Sequence, residues 1–432
     1  MTLWRTIVLA LNIVGLRFGG AAIGLVSQIL LARLLSQSEV GVVFLGMSAA
    51  AFISLVIAGG YPQLAITSLA RYYALGRASM VKVYHAAFVH DSLRISLATF
   101  AVAAVIYVFA PINDGLKTAL LFGCLSAPAS AALRINSAVA NSIRSYNLSF
   151  FPDLLFRPGV FLLYLTASWL LGISANVVDV LWAFVIANTV VAIGQAIALR
   201  SHSAHMGFAS RDKHNLASHL RGRAAALVIV GLVATSFADI VTLLAGFFLG
   251  SADVAIVGVA IRLAALAGFI SQATQQFVLP DLTAAMAKGT EAQVRSLLLR
   301  INMVTLGAIV SCLIGAALFG NLALRIFGAS YQQGHWPLVL FMVSQAFRAA
   351  SGMNQHLLSI AGYQIKTAGS CLVAMAVLVA ATMLLTPTYG IMGLACATII
   401  ADALWAFMLA MQAKRLTGRR GDILGTMATQ KT

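Results

Sequence analysis

Gly15–Val43, read from Leu16 as LRFGGAAIGLVSQILLARLLSQSEVGVV, holds an apolar run, a polar elbow at Ser36–Glu39 and the start of a second apolar run. About 20 apolar residues in helical form cross a bilayer core. Arg17 lies near the start of the first run, and a charge in that setting is costly and marks a function by default. Gly15, Gly19, Gly20 and Gly24 form two GxxxG spacings. Small residues so spaced bring helices backbone to backbone. The adjacent pair Gly19-Gly20 equally lets a helix bend, so both readings stand.

Outward from this stretch the chain repeats the pattern. Its 432 residues are 61% hydrophobic and 9% charged, and the mean hydropathy is +0.94. A soluble domain carries about a quarter charged residues. The fold class expected is all-α: a polytopic membrane protein with twelve transmembrane helices in two six-helix lobes. The spans expected are 11–32, 40–59, 92–110, 115–133, 154–172 and 177–199, then 224–249, 254–274, 301–319, 336–358, 368–385 and 390–411. The lobes are then residues 1–199 and 224–432, joined by a basic cytoplasmic linker, 200–223. The first run is too long for a cleavable signal peptide and has no small-residue cleavage site.

The net charge of +16 does not point to nucleic acid, because the basic residues fall in short loops between apolar runs. Arg71, Arg77, Lys82, Arg134 and Arg144 mark one side, with the linker and the tail, while the other side holds Arg33, Lys117 and Arg325. By the positive-inside rule both termini are cytoplasmic. Glu39, Asp114, Asp179 and Asp253 cap the outer turns, and Trp169, Tyr331 and Trp336 are expected at the outer interface. Cys124, Cys312, Cys371 and Cys396 lie in apolar runs and read as small fillers.

The halves resemble each other. Leu35–Val40 matches Leu249–Val254, and Pro62-Gln63-Leu64 before Arg71 matches Pro280-Asp281-Leu282 before Lys288. Six spans per half relate the copies by an axis along the membrane normal. The bland alternative is that any such turn favours a small residue and an acid.

Enzyme motifs are missing. Gly362–Thr367 lacks the second glycine of a phosphate-cradling loop, and neither HExxH nor GxSxG occurs. His202, His205, His214 and His219 read as a solvated linker rather than a metal site. The chemistry-bearing residues left are charges inside spans: Arg17, Arg157, Asp239, Arg262, Arg348 and Asp402. Each costs about 2.5–3.5 kcal/mol at mid-helix, so they pair or line a water-filled cavity. Asp239 or Asp402 pairing with Arg262 or Arg348 is one reading. Arg17 and Arg157 have no mid-span acid in the first half, so they snorkel or await an anion, for which a planar guanidinium fork suits phosphate. Pro152 and Pro158 loosen the start of the fifth span.

Gln28–Gly41, and Gly60–Ala65 followed by Leu69-Ala70-Arg71, resemble the Wzx-like polysaccharide biosynthesis flippases of the MOP (multidrug/oligosaccharidyl-lipid/polysaccharide) exporter superfamily. The resemblance implies a V of two six-helix lobes in a bacterial inner membrane. It implies a cargo of undecaprenyl-pyrophosphate-linked oligosaccharide. Arg17, Arg157, Arg262 and Arg348 are the candidate pyrophosphate ligands, and Asp239 and Asp402 the counter-charges or coupling groups. No cofactor is implied beyond Na⁺ or H⁺ coupling. The partners expected are the lipid-linked oligosaccharide, the bilayer, a polysaccharide polymerase and a chain-length regulator. The rival within the superfamily is a cation-coupled multidrug (MATE) exporter, whose pattern carries an acid in the first helix, where this chain has none.

Overall fold

A computed structural model describes residues 3–75, 80–203, 221, 224, 237–288, 291–423 and 425. The regular elements among them are all helical. The expected linker and the first half of the expected seventh span, with His205, His214 and His219, lie largely outside the described residues. The chain forms two compact units, Met1–Phe247 and Phe248–Thr432.

The first unit contains α1 (Leu3–Leu34), α2 (Gln37–Ala58), the short α3 (Tyr61–Leu64) and α4 (Ala70–Ala74), α5 (Met80–Phe109) and α6 (Asp114–Ser142). It continues with α7 (Tyr146–Phe151), α8 (Arg157–Leu170), α9 (Val177–Ser203) and α10 (Phe237–Phe248). The second contains α11 (Ser251–Lys288), α12 (Glu291–Phe327), α13 (His335–Ala350), α14 (Asn354–Ile360) and α15 (Gln364–Thr417). Nine helices among the described residues are long and apolar enough to cross a membrane. One of them, α15, is two helices meeting at Gly390 (φ 56°, ψ −134°). With α13 and the visible end of the seventh span, α10, these supply the twelve spans expected.

The helices outrun the expected spans. α5 begins at Met80 rather than Ser92, and α6 runs to Ser142 rather than Leu133. The 38 residues of α11 rise about 57 Å at 1.5 Å per residue, against a hydrocarbon core of about 30 Å. Hydropathy registers only the part of a helix that sits in lipid, so the polar turns beyond it read as loop.

The elbow is a reciprocal helix cap. The Ser36 backbone N–H donates to Glu39 Oε2 at 2.9 Å and its hydroxyl to the same oxygen at 2.7 Å. Asn176 and Asp179 repeat the arrangement at the start of α9. Downstream the two halves diverge. α2 stops at Gly59, whose φ of 54° suits glycine, and Pro62 follows in a separate short helix, whereas α11 continues through Pro280. Tyr331 is buried against Phe327, so it is no interfacial anchor, while Trp169 and Trp336 are exposed.

α2 and α6 form the centre of the first unit. They touch through small residues: a Cβ on Gly123 would lie 2.5 Å from that of Ala49. On its other side α6 meets α9 through Ser130–Asn188 (3.1 Å) and Ser137–Gln195 (3.0 Å). Both pairs are seven residues apart on each helix, which pins the register. In the second unit the chain after α15 straps back. Gly421 accepts from Asn302 Nδ2 (2.7 Å) and donates to Asn354 Oδ1 (2.7 Å).

Candidate functional site

In the first unit the site grows out of two prolines. Pro152 has no N–H for the Leu148 carbonyl four residues back, and Gln195 Nε2 takes that carbonyl instead, at 2.9 Å. Pro158 likewise has no N–H for the Leu154 carbonyl four residues back. Between them Pro152–Phe156 winds as a π-helix, a form common at functional sites. The Leu154 carbonyl faces α1 at Gly20, where a Cβ would sit 2.3 Å from the oxygen. Of the four glycines in α1, Gly20 makes this backbone approach, Gly19 lies near Leu155, and Gly15 and Gly24 face open space.

This contact sets α1, which carries Arg17 less than one turn before Gly20, against the π-helix that carries Asp153 and leads into Arg157. Arg157 is not the unpaired cation expected: its Nη2 lies 3.2 Å from Asp153 Oδ1, four residues earlier. Both side chains are over a third exposed, so the pair contributes little to stability. Arg17 is partly buried and makes no hydrogen bond or ion pair among the described residues.

Arg134, expected in a loop, lies inside α6, and its Nε donates to Ser54 Oγ at 3.1 Å. Asp153, Arg157 and Asp239 are all within its electrostatic reach. Two guanidinium groups, Arg134 and Arg157, and two carboxylates, Asp153 and Asp239, therefore occupy one region of the first unit, and Arg134 is the member that sequence reasoning missed. The i,i+4 spacing of Asp153 and Arg157 was a usable signal; nothing in the sequence marked Arg134 as interior.

A second network spans the base of the same unit. The Tyr61 hydroxyl donates to Asp91 Oδ2 at 2.6 Å, and Arg221 Nε lies 3.0 Å from Asp91 Oδ1. The Tyr84 hydroxyl donates to the Tyr61 carbonyl, and Tyr61 packs edge-on against Tyr84 and Phe88. Burial, then the neighbouring carboxylate, pushes the Tyr61 phenol well above its ordinary pKa, so it stays a donor.

In the second unit, Asp402 on α15 is 1% exposed, and its Oδ1 lies 3.9 Å from Arg348 Nη1 on α13. Ser344, one turn before Arg348, donates to Asp402 Oδ2. The Arg348 guanidinium stands over the Trp405 ring at 5.2 Å. At 3.9 Å the Arg348 contact is an ion pair without a hydrogen bond, and Asp402 Oδ1 has no hydrogen-bond partner among the described residues. Of the pairings expected in this half, Arg348–Asp402 forms. Arg262 turns back along α11, donating to the Gly258 carbonyl at 3.1 Å. No group of three or more metal-ligating side chains occurs among the described residues.

No known protein-family profile matches the chain, and no curated protein does. Solved structures do. An inward-facing multidrug resistance MATE family transporter of the MOP superfamily superposes with a TM-score of 0.70 at 12% identity, covering 92% of this chain and 95% of that one. The lipid II flippase MurJ, inward closed, gives 0.73 at 14% identity over 94% and 87%. A MOP superfamily transporter from Pyrococcus furiosus gives 0.55 at 12% over 95% and 96%. The chain has the fold of the MOP superfamily transporters.

Proposed function

We propose that the protein is a flippase that turns undecaprenyl-pyrophosphate-linked oligosaccharide from the inner to the outer leaflet of a bacterial inner membrane, for surface polysaccharide synthesis. The observation that carries this reading is Arg134 beside Arg157 in the first unit, with Arg17 on α1, the helix whose Gly20 packs against the π-helix preceding Arg157. Guanidinium forks bind phosphate oxygens two at a time. Arg17 and Arg157 receive the pyrophosphate. Arg262 and Arg348, in the second unit, bind it on the way out, and Asp239 and Asp402 are counter-charges. The lobes are residues 1–199 and 224–432, with 200–223 as a cytoplasmic linker and both termini inside.

No ATP is needed. One charge crossing the membrane potential is worth about 2.3 kcal/mol per 100 mV, and a pyrophosphate leaving an inside-negative cell gains that for each uncompensated charge. Na⁺ or H⁺ at Asp402 adds to this drive. A polymerase and a chain-length regulator act on the product.

A second reading, a cation-coupled multidrug exporter, is favoured by Asp402 itself: a buried carboxylate oxygen without a hydrogen bond, beside Trp405, suits a cation. Complementation separates the two. In a deletion strain, Arg17→Ala and Arg157→Ala, expressed at wild-type level, are expected to abolish surface polysaccharide and leave resistance to cationic dyes unchanged. Full polysaccharide with both variants overturns the flippase reading, and dye hypersensitivity of the deletion strain with intact polysaccharide establishes the exporter.

A further inference from the structure

An apolar groove of 470 Å³ opens on the first unit between α2, α5 and α6. Ile95, Ala98, Thr99, Val102 and Ile106 line it along α5, recurring every three or four residues, so they share one helix face. Ile53 and Val56 of α2 form one wall, and Leu120 and Cys124 of α6 the other. Ala98 and Thr99 are short, which makes the face a trough. Leu93, Leu97 and Val105, also on α5, are about 60% exposed, so the groove opens onto a lipid-facing surface.

One residue breaks the apolar lining. Arg94 sits at the end nearer the start of α5, and its side chain is exposed. Asp91, three residues earlier, is already engaged by Tyr61 and Arg221. Arg94 makes no hydrogen bond or ion pair among the described residues. From Arg94 to Ile106 the helix rises about 18 Å, close to the thickness of one leaflet, half of a core of about 30 Å. A polyprenyl chain is too long for such a trough, and a drug-sized molecule needs no cation at one end.

We propose that this groove is a specific site for one anionic phospholipid of the leaflet on the Arg94 side. One acyl chain lies in the trough and the headgroup phosphate pairs with Arg94. A bound lipid of this kind fills the seam between the central helices α2 and α6 and the peripheral α5. The site is independent of what the protein carries.

The test is native mass spectrometry of the purified full-length protein, with phosphatidylglycerol and phosphatidylcholine of equal chain length supplied in turn. Wild type is expected to retain one phosphatidylglycerol, preferred about fivefold over phosphatidylcholine, as for one arginine at an anionic headgroup. Arg94→Gln removes the preference, and Arg94→Lys restores part of it. Ala98→Leu, at an exposed position, blocks the trough and lowers retention of both lipids. Equal retention by wild type, Arg94→Gln and Ala98→Leu overturns the site. Displacement of the retained lipid by equimolar polyprenyl phosphate overturns its assignment to a phospholipid.

Discussion

At the scale of single residues, the decisive side chain is Arg134. It sits where three charged groups and the Ser54 hydroxyl converge, and truncating it removes the cation within reach of Asp153 and Asp239 and the donor to Ser54. Arg134→Ala is expected to cost about 1–3 kcal/mol, the penalty of unsatisfied buried polar groups. The check is thermal unfolding in detergent, with Ser54→Ala, which removes the hydroxyl and spares the charge, expected to cost less. A smaller loss for Arg134→Ala than for Ser54→Ala would show that the carboxylates do not depend on it. Sequence reasoning named Arg157 and Arg348 as interior charges, and each turns out to have an acid: Asp153 one turn back, and Asp402 on a different helix. The first partner was readable from spacing. The second was readable only as one of several pairings, because the packing of α13 on α15 selects it.

At the scale of elements, the π-helix at Pro152–Phe156 and its contact with α1 define the first unit's site. The GxxxG spacings pointed to close packing, yet among the described residues only Gly20 of the four α1 glycines meets another helix's backbone. Gly20→Ala places a Cβ against the Leu154 carbonyl, 2.3 Å away, and overpacking of this kind costs about 1–3 kcal/mol. Gly24→Ala has nothing within 4 Å and is expected to leave both stability and transport near wild type. Comparing the two variants by unfolding and by complementation checks the contact; equal effects would refute it. Periodicity identifies a helix face, but which part of that face meets a neighbour depends on where the neighbour's carbonyls point, and here two prolines decide that.

At the scale of the whole molecule, the arrangement of charge predicts topology. In a cysteine-free background, Ser38→Cys in the first turn of α2 is expected to react with a membrane-impermeant maleimide in intact cells. Thr417→Cys, at the end of α15, is expected to react only after permeabilisation. The reverse labelling would invert the orientation and put the Arg94 end of the lipid groove in the outer leaflet.

The sequence by itself determined the class of fold, the number of spans and the acids, Glu39 and Asp179 among them, that cap helix starts. Those follow from local quantities: apolar length against bilayer thickness, and a side chain reaching a backbone N–H three residues away. Tertiary structure alone decided that Arg134 is interior, that Asp91 is held by Tyr61 and Arg221, and that Arg94 stands at the end of an apolar trough. These depend on helices continuing past the hydrocarbon core and on residues tens of positions apart meeting. Hydropathy is blind to both, because it averages along the chain and carries no information about which helix lies beside which.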